Sequence, residues 1–62
     1  MTKKDYELIA EVLREYIWYG NTFPSNMRTA DIVKMVANDL SDVFASENPR
    51  FDNNKFLEAC TP

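Results

Sequence analysis

The chain's pattern predicts a small all-α domain: two long antiparallel helices closed by a short C-terminal third. Two long segments place apolar residues at every third or fourth position, the spacing of one helix face. Capping residues and prolines fall where the segments begin and end. Nowhere does apolar–polar alternation of period two run long enough for a strand.

The first helix is expected over about residues 3–19. Thr2 is its N-cap, and Asp5 completes a capping box with a shorter acid in place of glutamate. Tyr6, Ile9, Ala10, Leu13, Tyr16 and Ile17 then form one stripe, with Glu7, Glu11, Arg14 and Glu15 on other faces. Gly20-Asn21 is expected to end the helix, because either residue tolerates the left-handed conformation. A loop follows to Ser25, since Pro24 pushes Phe23 out of helical angles.

The second helix is expected over about 26–46, capped by Ser25 or nearly as well by Thr29. Its stripe is Val33, Val36, Ala37, Leu40, Val43 and Phe44, widened by Met27, Ile32 and Met35. Asn48-Pro49 stops it. The third helix is expected over about 53–60, with Asp52 as N-cap and Phe51 and Phe56 placed as a hydrophobic staple. Its Phe56, Leu57 and Cys60 share a face that lies across the first two helices.

A 62-residue chain makes one domain, 1–62, and buries only about 60% of the surface of its unfolded form, so its stability is marginal. Cys60 is alone, which rules out an intrachain disulfide and suits a reducing cytoplasm. There is no histidine, and one cysteine cannot make the usual tetrahedral zinc site of Cys and His ligands. Helix packing and partners remain as sources of stability. Both stripes exceed what one pair of helices covers, and Val12, Trp18, Tyr19 and the Met27/Met35 flank are left over. Part of that surface is expected to meet another chain.

No apolar run approaches the roughly 20 residues that span a bilayer, and the N-terminal stretch is charged rather than signal-like. A cytoplasmic protein without membrane contact is expected. The net charge of −3 argues against non-specific DNA binding, which needs clustered Lys and Arg.

Glu7, Glu11 and Glu15 share a helix face, and clustered carboxylates can hold a divalent ion or raise a pKa. The simpler reading is a solvated face, relieved by Lys3 and Arg14 at turn spacing. Cys60 lacks a histidine partner and sits in an apolar setting, where a thiol is inert. One glycine leaves no phosphate-cradling loop. No catalytic residue, cofactor or metal is expected.

Two nucleic-acid readings are weaker. A helix-turn-helix regulator would read bases with Asn53, Asn54 and Lys55, reinforced by Arg50 alone, where such readers carry more bases. A nucleic-acid mimic would use Asp39, Asp42 and Glu47 with the glutamates of the first helix, but lysines and arginines interleave with those acids. The aromatic patch Tyr16, Trp18, Tyr19 and Phe23 is more informative. Trp and Tyr concentrate binding energy at interfaces, and they also finish small cores.

The stretch Asn48-Pro49-Arg50-Phe51-Asp52-Asn53-Asn54-Lys55-Phe56-Leu57-Glu58-Ala59-Cys60 resembles the ending of many short bacteriophage and prophage proteins. In those, an Asn-Pro-Arg-Phe-Asp turn leads into a last helix ending Phe-Leu-x-Ala-Cys. The opening Asp5-Tyr6-Glu7-Leu8-Ile9-Ala10 is similar to their first helix. Together these cover about a third of the chain. The family is mostly of unassigned function, so the resemblance implies a phage origin and no catalytic residues. It favours an accessory protein that binds a host, defence or phage protein stoichiometrically, with self-association into a homodimer as another form of partner. Trp18, Tyr19, Phe23, Met27 and Met35 are the expected partner-binding residues.

Overall fold

The computed structural model describes every residue except Pro24 and Asn26, and for Met27 the backbone alone. It holds α1 (Lys3–Thr22), α2 (Met27–Glu47) and α3 (Asn53–Cys60), and among the described residues no strand. The all-α architecture of two long helices and a short third is the one the sequence predicts.

Each boundary has a local cause. At the start of α1 the Thr2 N–H donates to Asp5 Oδ2 at 2.9 Å and the Asp5 N–H to Thr2 Oγ1 at 3.4 Å, a reciprocal capping box. These hydrogen bonds with Thr2 hold the Asp5 carboxyl below its ordinary value. The box therefore stabilises the fold above the ordinary carboxylate range, and that contribution is lost as pH falls through the folded value.

At its far end α1 runs past Gly20-Asn21, contrary to expectation. Phe23 is the C-cap, with extended angles (φ −110°, ψ 106°), and its N–H donates to the Tyr19 carbonyl at 3.1 Å. Gly20 lies buried inside the helix, and no described residue has positive φ. The stop comes from Pro24 in the sequence, which disfavours helical angles at the residue before it. Helix α2 opens at Met27, within a turn of the expected start. The expected start at Asn26 lies outside the described residues.

The turn between α2 and α3 is built by Asn48. Its N–H donates to the Phe44 carbonyl (2.8 Å), its Oδ1 accepts from the Arg50 N–H (3.0 Å), and its carbonyl from the Phe51 N–H (3.0 Å). Asp52 then caps α3 by accepting from the Lys55 N–H at 3.1 Å. The staple is present, with the Phe51 and Phe56 rings 5.5 Å apart.

The two long helices are antiparallel. Tyr6 near the start of α1 meets Phe44 near the end of α2 (4.9 Å between ring centroids), and Phe51 and Phe56 complete a four-ring cluster. Away from that cluster the buried positions of the long helices are mostly small: Ala10, Gly20, Ala30, Ala37 and Ser41. Ile17 and Cys60 extend the core, and Leu13, Val33, Leu40 and Leu57 pack on it half-buried.

Three residues assigned to the core stripes lie outside it: Tyr16, Val36 and Val43 are 56%, 42% and 54% exposed. Small side chains narrow the seam, and α3 is a single helix of 8 residues that covers only one side of the pair. The outer half of each apolar stripe has nothing packed on it.

Two substitutions of opposite sign test this packing. Phe56→Ala removes a buried ring shared by all three helices and is expected to cost about 3–5 kcal/mol, enough to unfold most of so small a domain. Ser41 is 2% exposed and its hydroxyl has no hydrogen-bond partner, so Ser41→Ala is expected to stabilise by about 1 kcal/mol. Urea unfolding followed by circular dichroism measures both; equal and small effects would contradict the described core.

Candidate functional site

The side of the hairpin that carries α3 is marked by the grooves along it. Lys3, Tyr6 and Glu7 of α1 line one groove with Phe51, Lys55 and Phe56. Ile17 and Asn21 line a second with Leu57 and Cys60, together with Lys34, Ala37 and Asn38 of α2.

Leu8, Val12, Tyr16, Tyr19 and Phe23 recur at spacings of four, four, three and four. At about 100° per residue their stripe lies roughly 160–170° around α1 from its α3-facing side. Ile32, Val36 and Val43 occupy the equivalent position on α2, again opposite α3. All eight are exposed. Because the helices are antiparallel, Leu8 lies level with Val43, and Tyr16 with Val36. The result is one continuous apolar flank over about 22 Å of α1, with no charged residue between its two rows. The principal extents of 38 × 18 × 15 Å fit a slab with no helix behind this flank.

Trp18, Tyr19 and Phe23 come together at the loop end. The Tyr19 and Phe23 rings are 4.8 Å apart, and Trp18 stands edge-on to Phe23 at 6.3 Å. Tyr19 and Phe23 belong to the flank. Trp18 is 53% exposed and turns toward the adjoining edge, where it lines a shallow groove with Glu11, Arg14, Glu15 and Pro62. Met35 is 66% exposed and sits about 80° around α2 from the flank, away from the aromatic trio. The side chain of Met27 lies outside the described residues.

Sequence reasoning passed over Leu8 and placed Tyr16, Val36 and Val43 in the core. A signal was available: α1 carries a second apolar series, beginning at Leu8, beside the first beginning at Tyr6.

The remaining chemical groups are less concerted. Glu7, Glu11 and Glu15 are all exposed, and among the described residues no group of three or more His, Cys, Asp or Glu has a metal-holding arrangement. Arg50 and Lys55 line a groove of about 390 Å³ with Lys3, where Glu7 and Asp52 mix the charge; Asn53 and Asn54 do not line it. Among the described residues no helix is long and apolar enough to cross a membrane.

No family model matches the chain, and neither a curated protein nor a solved structure does.

Cys60 is buried and burial raises its thiol pKa, so the reactive thiolate is scarce in the folded state. Alkylation by iodoacetamide is expected to be at least about tenfold slower in buffer than in urea, because reaction requires opening of the α3 end. Equal rates would show that Cys60 is not shielded.

Proposed function

We propose that this chain is a phage-type accessory protein that acts by stoichiometric protein binding, without catalysis and in a cytoplasmic setting. The observation that carries the reading is the uncovered α1/α2 flank. Eight exposed apolar side chains in two adjoining rows, three of them aromatic, exceed the scatter of single apolar residues on an ordinary surface. Tyr19 and Phe23 anchor the loop end of the flank, Trp18 stands edge-on to Phe23 beside it, and Met35 is exposed on α2 about 80° around from it. Tyr and Trp lose few rotamers on binding and bury much area, so the energy of docking concentrates at such residues.

The resemblance of residues 48–60 to phage proteins adds the setting, since tiny accessory phage proteins rarely do chemistry and binding a host or phage protein is the work left to them. The lone thiol of Cys60 suits a reducing compartment.

The test is a tagged pull-down from bacterial lysate, with and without nuclease, using wild type, Trp18→Ala and Tyr19→Ala. A nuclease-resistant protein is expected with wild type and should be reduced at least about tenfold by either alanine, as for an interface anchor, while helicity is kept. Recovery confined to nucleic-acid-associated proteins that vanish with nuclease would overturn the reading in favour of a small regulator.

A further inference from the structure

Resting on that protein-binding reading, we propose that the occupant of the α1/α2 flank is a second copy of this chain. Two hairpins would meet face to face in a four-helix core, with each α3 on the outside.

Three observations lead there. The first is area. Each of the eight flank side chains is about half exposed, and aromatic rings carry 150–250 Å² apiece, so the flank offers on the order of 700 Å². That is close to the ~800 Å² per partner of a standard stable interface.

The second is self-complementarity. The rings of the flank, Tyr16, Tyr19 and Phe23, all stand on α1, while α2 contributes the smaller Ile32, Val36 and Val43. A twofold axis running along the helices sets α1 of each copy on α2 of the other. Large side chains then meet small ones, and Tyr16 of one copy reaches Val36 of the second. Every neighbouring pair of helices in the resulting bundle is antiparallel, as in a four-helix bundle with short connections.

The third is size. With one cysteine, the 62 residues have no disulfide among themselves to staple them, which leaves more of the stability to packing and association. Exposed acids on the rim, Glu15 and Asp39, oppose the dimer only weakly because salt screens them. Added salt should therefore tighten self-association, whereas it would loosen the hold on a basic partner.

The test is sedimentation of wild type and Val36→Glu over a range of concentrations, with helicity checked for each. Wild type is expected at twice the chain mass, with a Tm that rises with concentration. Val36→Glu should sediment at the single-chain mass and lose that concentration dependence. Should Val36→Glu fail to fold, a mixed sample of isotope-labelled and unlabelled wild type decides, by the presence or absence of intermolecular contacts between the Tyr16 ring and the Val36 methyls. A wild type that stays monomeric at high concentration would overturn the second copy as occupant. The protein-binding reading would then stand or fall separately, on the Tyr19→Ala capture. A dimer that survives Val36→Glu with Tyr16 and Val36 apart would overturn the proposal by placing self-association elsewhere.

Discussion

Four aromatic rings at one end of the hairpin hold the three helices to one another. Tyr6 comes from the first turns of α1, Phe44 from the end of α2, Phe51 from the turn and Phe56 from α3, with neighbouring centroids 4.7–5.5 Å apart in tilted or edge-on pairs. Such pairs add about 0.5–1.5 kcal/mol beyond the area they bury, a large share for a domain this small. The cluster also sets direction. Once Phe51 and Phe56 are seated against Tyr6 and Phe44, α3 can run along only one side of the pair, and the other side is left bare.

The seam between the long helices has the same consequence by another route. Alanines, Gly20 and Ser41 fill much of it, so the core is narrow and the larger residues beside it have no room inside. Gly20 illustrates the trade: glycine weakens a helix by about 1 kcal/mol relative to alanine, yet here it lies buried within α1, where a larger side chain would hold the neighbouring helix away. A fold held by a ring cluster and a small-residue seam leaves apolar surface for association.

Much of this was legible in the residues. Thr2 and Asp5, Asn48-Pro49, and the Phe51–Asp52–Phe56 staple act over a few positions, so their geometry follows from spacing alone. The end of α1 does not follow from spacing, because Gly20 has two uses, as a left-handed cap or as a small residue in a seam, and only the packing partner decides between them. The exposure of Tyr16, Val36 and Val43 has a related cause. Helical periodicity shows that a face is apolar, but which half of a wide face is covered depends on where α3 lies, and a long-range contact sets that. The aromatic trio at the loop end was visible as a cluster in sequence, whereas its continuity with Leu8, Val12 and Tyr16 needed the register of two helices.

Native-state hydrogen exchange, read amide by amide, tests most directly whether α3 is seated by the ring cluster on one side of the hairpin. Amides of α3 and of the adjoining ends of α1 and α2 should exchange slowest, at rates set by global unfolding, and protection should decline toward the opposite ends of α1 and α2. Free exchange throughout α3, with α1 and α2 still protected, would contradict the ring cluster as the holding interaction. It would also remove the reason for one flank of the hairpin being covered and the other bare.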